Sequence, residues 1–179
     1  MNNLATLPTS GGTCLYAQPF NPDAQGFYFH SVEDYEQQVA QCRDRFGHPV
    51  EEFEIQYIDG DDSELFAAVG SNQCNLETWF DRVESLDEGE KVALFYLCDG
   101  CGYALDNALD RLDDVCLFEG PLLDAATELF DECYAHEIPE NLRCYFDYEA
   151  FARDCRLGGD MTEFEYQGHT WTCTNASGL

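Results

Sequence analysis

The stretch FYFHSVEDYEQQVAQCRDRFGHPVEEFEIQYI, residues 27–58, decides the fold class. Phe27-Tyr28-Phe29-His30 reads as a short strand. Ser31 then opens a helix, with Asp34 at the third helical position of an imperfect capping box. Val32, Tyr35, Val39, Cys42 and Phe46 recur at helical spacing and predict one buried stripe. Gly47 and Pro49 end that helix. Phe53, Ile55 and Tyr57 alternate with Glu54 and Gln56, so residues 52–58 form a strand with one wet face. A strand, a helix and a strand in close succession predict an α+β fold.

Working outward, Thr13 to Pro19 alternates weakly and adds a strand before the turn at Asn21-Pro22-Asp23. Residues 1–12 are polar, carry Pro8, Gly11 and Gly12, and read as a loose tail. Downstream, Asn75 caps a helix to Val83 with Leu76, Trp79, Phe80 and Val83 inward. Asp87 and Glu90 cap a second, which ends at Cys98 before Gly100 and Gly102. Tyr103 to Leu112 is a third helix. Val115 to Phe118 reads as a strand. Leu122 to Tyr134 is a helix with Leu122, Ala125, Leu129, Phe130 and Cys133 facing the core. Pro139 interrupts, and Asp147 caps a helix to about Arg156. Met161 to Tyr166 and His169 to Thr174 flank Gln167-Gly168 as a terminal hairpin. The expected organisation is three small units. These are an N-terminal α+β unit over 1–62, a central helical unit over 63–101 and a C-terminal α+β unit over 102–179.

The 179 residues carry 36 Asp and Glu against 8 Lys and Arg, a formal net charge of −28. Lys91 is the one lysine. That balance argues against direct contact with nucleic acid or an anionic membrane, both of which need a cationic footprint. With 45% hydrophobic and 14% aromatic residues, the chain has material for a core and does not read as disordered. No apolar run reaches membrane-spanning length, and Met1 to Thr13 does not read as a secretory signal. The expectation is a folded cytoplasmic protein. The ten cysteines sit mostly in apolar patterns, as at Cys98, Cys116 and Cys173, and read as small buried hydrophobes rather than disulfides. Cys98 and Cys101 have ligand-like spacing but no second pair, and the four histidines are scattered. No metal or cofactor is expected. No nucleophile elbow, phosphate loop or zinc-protease motif occurs, so no enzyme activity is expected.

Charge spacing carries the functional signal. Glu77, Asp81, Glu84 and Glu88 stand three or four residues apart. So do Asp106, Asp110 and Asp113/Asp114, and again Asp124, Glu128 and Asp131/Glu132. On helices these become rows of like charge, each i,i+4 pair costing roughly 0.2–0.5 kcal/mol. Solvated helix faces explain any one row, but several rows with almost no lysine oppose compaction. Three explanations are open. One is salt adaptation, which the 13 Phe and 10 Tyr disfavour. Another is cation binding at Asp59-Gly60-Asp61-Asp62-Ser63-Glu64, where an EF-hand would need Gly in place of Glu64 and Glu in place of Gly70. The third is mimicry of DNA. At the duplex density of one charge per roughly 1.7 Å, the net charge matches about 48 Å of axis, or about 14 base pairs.

The C-terminal third resembles a known family. The run Glu137-Ile138-Pro139-Glu140-Asn141-Leu142-Arg143 is followed by Asp147-Tyr148-Glu149-Ala150-Phe151-Ala152-Arg153-Asp154 and Gly159-Asp160. Together they strongly resemble the ArdA antirestriction family, over roughly residues 100–174. The resemblance implies an elongated three-part DNA mimic that dimerises through its C-terminal part. It also implies binding to the methyltransferase core of type I restriction-modification enzymes, and carriage on mobile genetic elements. A different target, such as another defence complex, a CRISPR effector or a nucleoid protein, is the alternative within mimicry. An acidic interaction domain without mimicry is the alternative outside it. From the residues alone, Leu142, Tyr148, Phe151 and Ala152 read as packing inward. Arg143, Arg153 and Arg156 lie on one short stretch and are candidates for pairing across a dimer interface, with Glu137, Pro139, Glu140 and Asp147 as the other marked positions of the motif.

Overall fold

The computed structural model describes residues 12–179. The tail expected over residues 1–12 therefore lies, but for Gly12, outside the described residues. The chain packs as two compact units divided between Leu86 and Asp87. Helices and two small antiparallel sheets make up both, so the α+β class holds.

In the first unit, β1 (Cys14–Pro19) lies between β2 (Phe27–Phe29) and β3 (Phe53–Asp59), antiparallel to both. Leu15 pairs with Phe29 on one side and with Tyr57 on the other. Leu15, Ala17 and Phe29 are buried, as are Phe53 and Ile55. Helix α1 (Val32–Gln41) is capped by Ser31, whose hydroxyl accepts the Asp34 N–H. Its Tyr35 ring meets Phe27, Phe29 and Phe53 at 6.0, 4.9 and 6.2 Å.

The expected stripe runs one turn too far. Cys42 turns extended after Gln41, and residues 43–49 form a tight loop. There the Asp44 carboxylate accepts the backbone N–H groups of Phe46 at 2.8 Å and His48 at 2.9 Å. Arg43 bridges Pro49. An Asp that satisfies two loop donors outcompetes one more helical turn, so Phe46 sits at the tip, 65% exposed, not in the core. Some desolvation of Asp44 works upward, but hydrogen bonds from His48 and Phe46 outweigh it and hold the carboxyl below its ordinary value.

Beyond β3, the acidic run leads into a short helix that no hydrophobic periodicity marks, α2 (Ser63–Ala68), which buries Leu65 and Phe66. The helix expected from Asn75 is a short α3 (Leu76–Thr78) running into a π-helical turn, Trp79–Val83. Trp79 and Val83 are fully buried, and Phe80 packs edge-on against Phe29 at 6.3 Å.

The second unit opens with α4 (Glu88–Phe95). Its capping box is complete: Asp87 accepts the Glu90 N–H, and Glu90 accepts the Asp87 N–H. Replacing Asp87 with Ala is expected to cost about 1 kcal/mol, readable as a shifted urea midpoint. An unchanged midpoint would mean the cap is idle. Past Phe95 the coil widens into a π-helical turn, Tyr96–Gly100. Then come α5 (Leu105–Leu109) and a 3-10 turn, Leu112–Asp114, in place of one helix over 103–112. The second sheet runs in the order β4 (Leu117–Glu119), β6 (His169–Cys173), β5 (Thr162–Tyr166). Thr172 is wholly buried there, and its hydroxyl donates to the Gly120 carbonyl at 2.8 Å. Helix α6 (Leu122–Cys133) presses Leu122, Ala125 and Ala126 onto Ala152 and Cys155 of α8 (Tyr148–Gly158) and onto Met161. Gly159, at φ 77°, ends α8 in the left-handed region.

The cysteines divide. Cys14, Cys98, Cys155 and Cys173 are buried and Cys42 is half-buried, but Cys74, Cys101, Cys116, Cys133 and Cys144 are exposed. Alternation explains Cys116, because Leu117 pairs with buried Cys173 and the preceding residue points to the other face. Cys133 follows the apolar spacing of α6 but ends the helix and is exposed, contrary to expectation. Burial pushes the Cys98 thiol up to about 11, so it stays protonated near neutrality. A thiol reagent at pH 8 is expected to label the five exposed cysteines and spare Cys98 until unfolding, as mass spectrometry of the native protein would read. Early loss of Cys98 would contradict this packing.

Candidate partner-binding surface

None of the 36 acids is buried. Asp23, Asp34, Asp44, Asp62 and Glu84 are half-buried, and the others are exposed. Burial cannot therefore neutralise them, and the charge stands on the surface.

The rows fare unequally. Glu77 sits on α3 and Asp81 on the π-helical turn, while Glu84 follows it and Glu88 begins α4 in the second unit. The turn before the Asp87 cap breaks what sequence spacing drew as one helix face. Asp106 lies on α5, Asp110 caps its end, and Asp113 and Asp114 belong to the 3-10 turn. Asp114 takes an ion pair from Arg111 at 3.2 Å. Asp59 ends β3, Asp61 and Asp62 form the link, and Glu64 enters α2. The Asp62 N–H donates to the Tyr57 hydroxyl at 3.0 Å.

Only one of these rows lies within a single continuous helix. On α6, Asp124, Glu128 and Asp131 project away from the buried Leu122, Ala125, Ala126 and Phe130, and exposed Glu132 stands at the border between the two sides. They line a cleft of about 430 Å³ with Thr127, floored by half-buried Phe118 of β4. Packing of the apolar side against α8 fixes the acidic side outward, because a helix cannot turn one face in without turning the other out. The Tyr148 hydroxyl donates to Asp131 Oδ1 at 2.7 Å and ties the row to α8. That bond raises the Tyr148 phenol pKa, with desolvation and the Asp131 charge adding to it. No spacing rule in the sequence signals this link, since the residues are 17 apart.

The motif segment is partly core and partly surface. Tyr148 and Phe151 are half-buried and Ala152 is buried, as expected. Phe146 stacks on Phe130 at 3.6 Å, and Tyr148 meets Phe130 edge-on at 5.4 Å. Leu142 is 50% exposed rather than packed inward, because α7 (Glu140–Arg143) is only one turn long and offers no opposing face. Pro139 caps that turn, and Asp147 caps α8 by accepting the Ala150 N–H. Glu137, Glu140, Arg143 and Arg153 are exposed. Arg143 donates to the Ile138 carbonyl at 3.2 Å, Arg153 lies 3.7 Å from Asp154, and Arg156 lies 3.7 Å from Glu163. A shallow cleft of about 220 Å³ joins Leu122, Leu123, Glu149, Ala152, Arg153 and Arg156.

Among the described residues, no three His, Cys, Asp or Glu side chains converge as a metal-binding set. Cys98 points into the core while Cys101 faces solvent. Among the same residues no helix is long and apolar enough to cross a membrane.

Comparison with curated proteins returns no match. A family model described as antirestriction protein (ArdA) matches residues 20–169, which takes in both sheets' helices and the whole α6 row. With most of its length matched, the chain belongs to the ArdA antirestriction protein family.

Proposed function

We propose that this protein is a DNA mimic that acts by stoichiometric binding, not catalysis. Its target is a type I restriction-modification enzyme in the cytoplasm, engaged at the methyltransferase core so that DNA cannot enter. The observation that carries this reading is the α6 row. Asp124 to Glu132 spans about 12 Å at 1.5 Å per residue. Four carboxylates over that length approach the roughly 3.4 Å charge spacing of a single DNA strand. Family membership supplies the antirestriction context.

The mechanism follows from electrostatics. Exposed carboxylates offer a cationic DNA-binding track the oxygen acceptors it evolved to hold. Most lack a neighbouring base, since 36 acids share 8 Lys and Arg. Complementary charge speeds association and makes it weaken with salt. The remaining marked acids, from Asp59 to Asp114, extend the same role in this proposal. The three-part division at 62/63 and 101/102 belongs to it too, as does a homodimer formed through the C-terminal part. Leu123, Leu142 and Tyr145, all substantially exposed, together with Arg153 and Arg156, give that interface its apolar anchors and its pairing charges. An Arg153→Glu variant that still sediments as the wild-type dimer would remove Arg153 from the interface.

The functional test is the plating efficiency of unmodified phage on a host with an active type I system. Expression of the protein should rescue plating there and change nothing in a non-restricting host. Absence of rescue across several type I systems, with folded protein present, would redirect the mimicry to another DNA-binding target.

A further inference from the structure

Helix α6 begins without a local cap. Pro121 stands at its N-cap position, and no side chain there accepts a hydrogen bond from the first turn. Ser, Thr, Asp or Asn would ordinarily take one of the N–H groups that a helix start leaves open. The acceptor comes instead from 41 residues away. Glu163 of β5 accepts the Leu122 N–H on Oε2 at 2.6 Å. Its Oε1 lies 3.7 Å from the guanidinium of Arg156, in the last turn of α8. Both oxygens of this carboxylate are therefore engaged within the protein, and they join β5, α6 and α8.

The corner before the helix is held from the same side. Glu163 and Thr172 are register partners across β5 and β6, so their side chains share one face of the sheet. The Thr172 hydroxyl donates to the Gly120 carbonyl at 2.8 Å, and the Gly120 N–H donates to the Thr170 carbonyl at 2.9 Å. Gly120 has φ 142°, and a Cβ there would stand 2.8 Å from the Phe118 ring, so the corner calls for glycine. The residues on either side of Pro121 thus have their backbone groups fixed by β5 and β6, which sets the direction in which α6 leaves the sheet.

We propose that Glu163 is a positioning residue for the acidic row of α6, holding the first turn, and Asp124 with it, in the place where the row meets its partner. The proposal rests on the reading of α6 as the binding surface. The far end of the row has anchors of its own, since Ala126 and Phe130 are buried and Tyr148 bonds Asp131. Asp124 has the corner: its N–H donates to the Pro121 carbonyl at 3.0 Å, two residues from the Leu122 N–H that Glu163 holds. Glu163 makes no contact with the partner in this account and acts through Asp124.

The test uses Glu163→Ala and Glu163→Gln, each alone and combined with Asp124→Asn. Each is titrated against a purified type I methyltransferase, and amide exchange along α6 is followed by NMR in the free protein. Ala removes the acceptor. The Leu122 amide should then exchange at least about tenfold faster. The Kd should rise by up to about fivefold, as much as Asp124→Asn alone causes. Adding Asp124→Asn to Glu163→Ala should bring little further loss, because the two changes disable one contact. Glu163→Gln keeps an oxygen for the Leu122 N–H and should recover most of both losses. A far-ultraviolet spectrum and a melting curve show that each variant folds, and Glu163→Met, which keeps the bulk without the acceptor, replaces the Ala variant if that does not. A Gln variant as weak as the Ala variant would make Glu163 a contact acid, and additive losses in the double variant would cut its link to Asp124. Either result overturns the proposal, as would unchanged exchange at Leu122. If the quadruple variant of Asp124, Glu128, Asp131 and Glu132 weakens binding and Glu163→Ala does not, this proposal alone falls. If the quadruple variant binds like the wild type, the reading of α6 fails and this proposal with it.

Discussion

Changing Asp124, Glu128, Asp131 and Glu132 together to Asn, Gln, Asn and Gln is expected to weaken inhibition and to stabilise the protein. The two effects share one cause. The four carboxylates stand on one helix around one cleft, repelling each other in the free protein and meeting cations in the proposed complex. Exposed ion pairs are typically worth about 0.2–1 kcal/mol each. Losing four costs roughly 1–4 kcal/mol of binding, or about fivefold to several hundredfold in Kd. In the free protein, relief of each i,i+4 repulsion returns about 0.2–0.5 kcal/mol. Asn at 131 keeps an acceptor for the Tyr148 hydroxyl, so the tie to α8 survives. Single replacements should give partial losses and the quadruple change the largest, with a shallower dependence of Kd on salt. Titration calorimetry against a purified type I methyltransferase, paired with a melting curve, reads both signs. Full inhibition by the quadruple variant would sink the role of this row. Collapse on losing one acid would point instead to a catalytic carboxylate.

The largest stability loss is expected from Trp79→Ala. Trp79 is wholly buried in the first unit, edge-on to Phe66 at 4.9 Å and to Tyr57 at 6.3 Å. Large-to-small changes of this kind cost about 3–5 kcal/mol, because the lost transfer energy is joined by an unfilled cavity. That is a large part of the 5–15 kcal/mol typical of a whole domain. Among the described residues the indole N–H has no hydrogen-bond partner. Trp79→Phe should therefore cost far less than Trp79→Ala, since it surrenders volume but no polar contact. Urea unfolding followed by circular dichroism measures the loss. Fluorescence of the other tryptophan, Trp171, reports separately on the second unit. A cost below about 1 kcal/mol for the alanine variant would mean that this core relaxes around the gap.

Much of the fold was legible because its signals are local. Alternation marked β3 and the terminal hairpin, and the Ser31, Asp87 and Asp147 caps stand where the sequence puts them. Each rests on residues within four positions of one another, which is the range over which periodicity and capping act. The acid count, and with it the expectation that nucleic acid is not a direct ligand, also needs no coordinates.

What tertiary structure decided is the fate of features whose partners are distant in sequence. Phe46 leaves the core because Asp44 finds its donors within a loop braced by Asp23. Leu142 and Cys133 are apolar by type, but they face solvent because no element covers them. Three acid rows looked alike in spacing. Two are divided among short turns, and the third alone is held on a continuous helix, by Leu122 and Ala126 packing against α8 and by Tyr148 reaching Asp131. Spacing says which residues share a face if a helix forms. Whether the helix runs on, and which way that face looks, depends on the apolar surface that buries its opposite side.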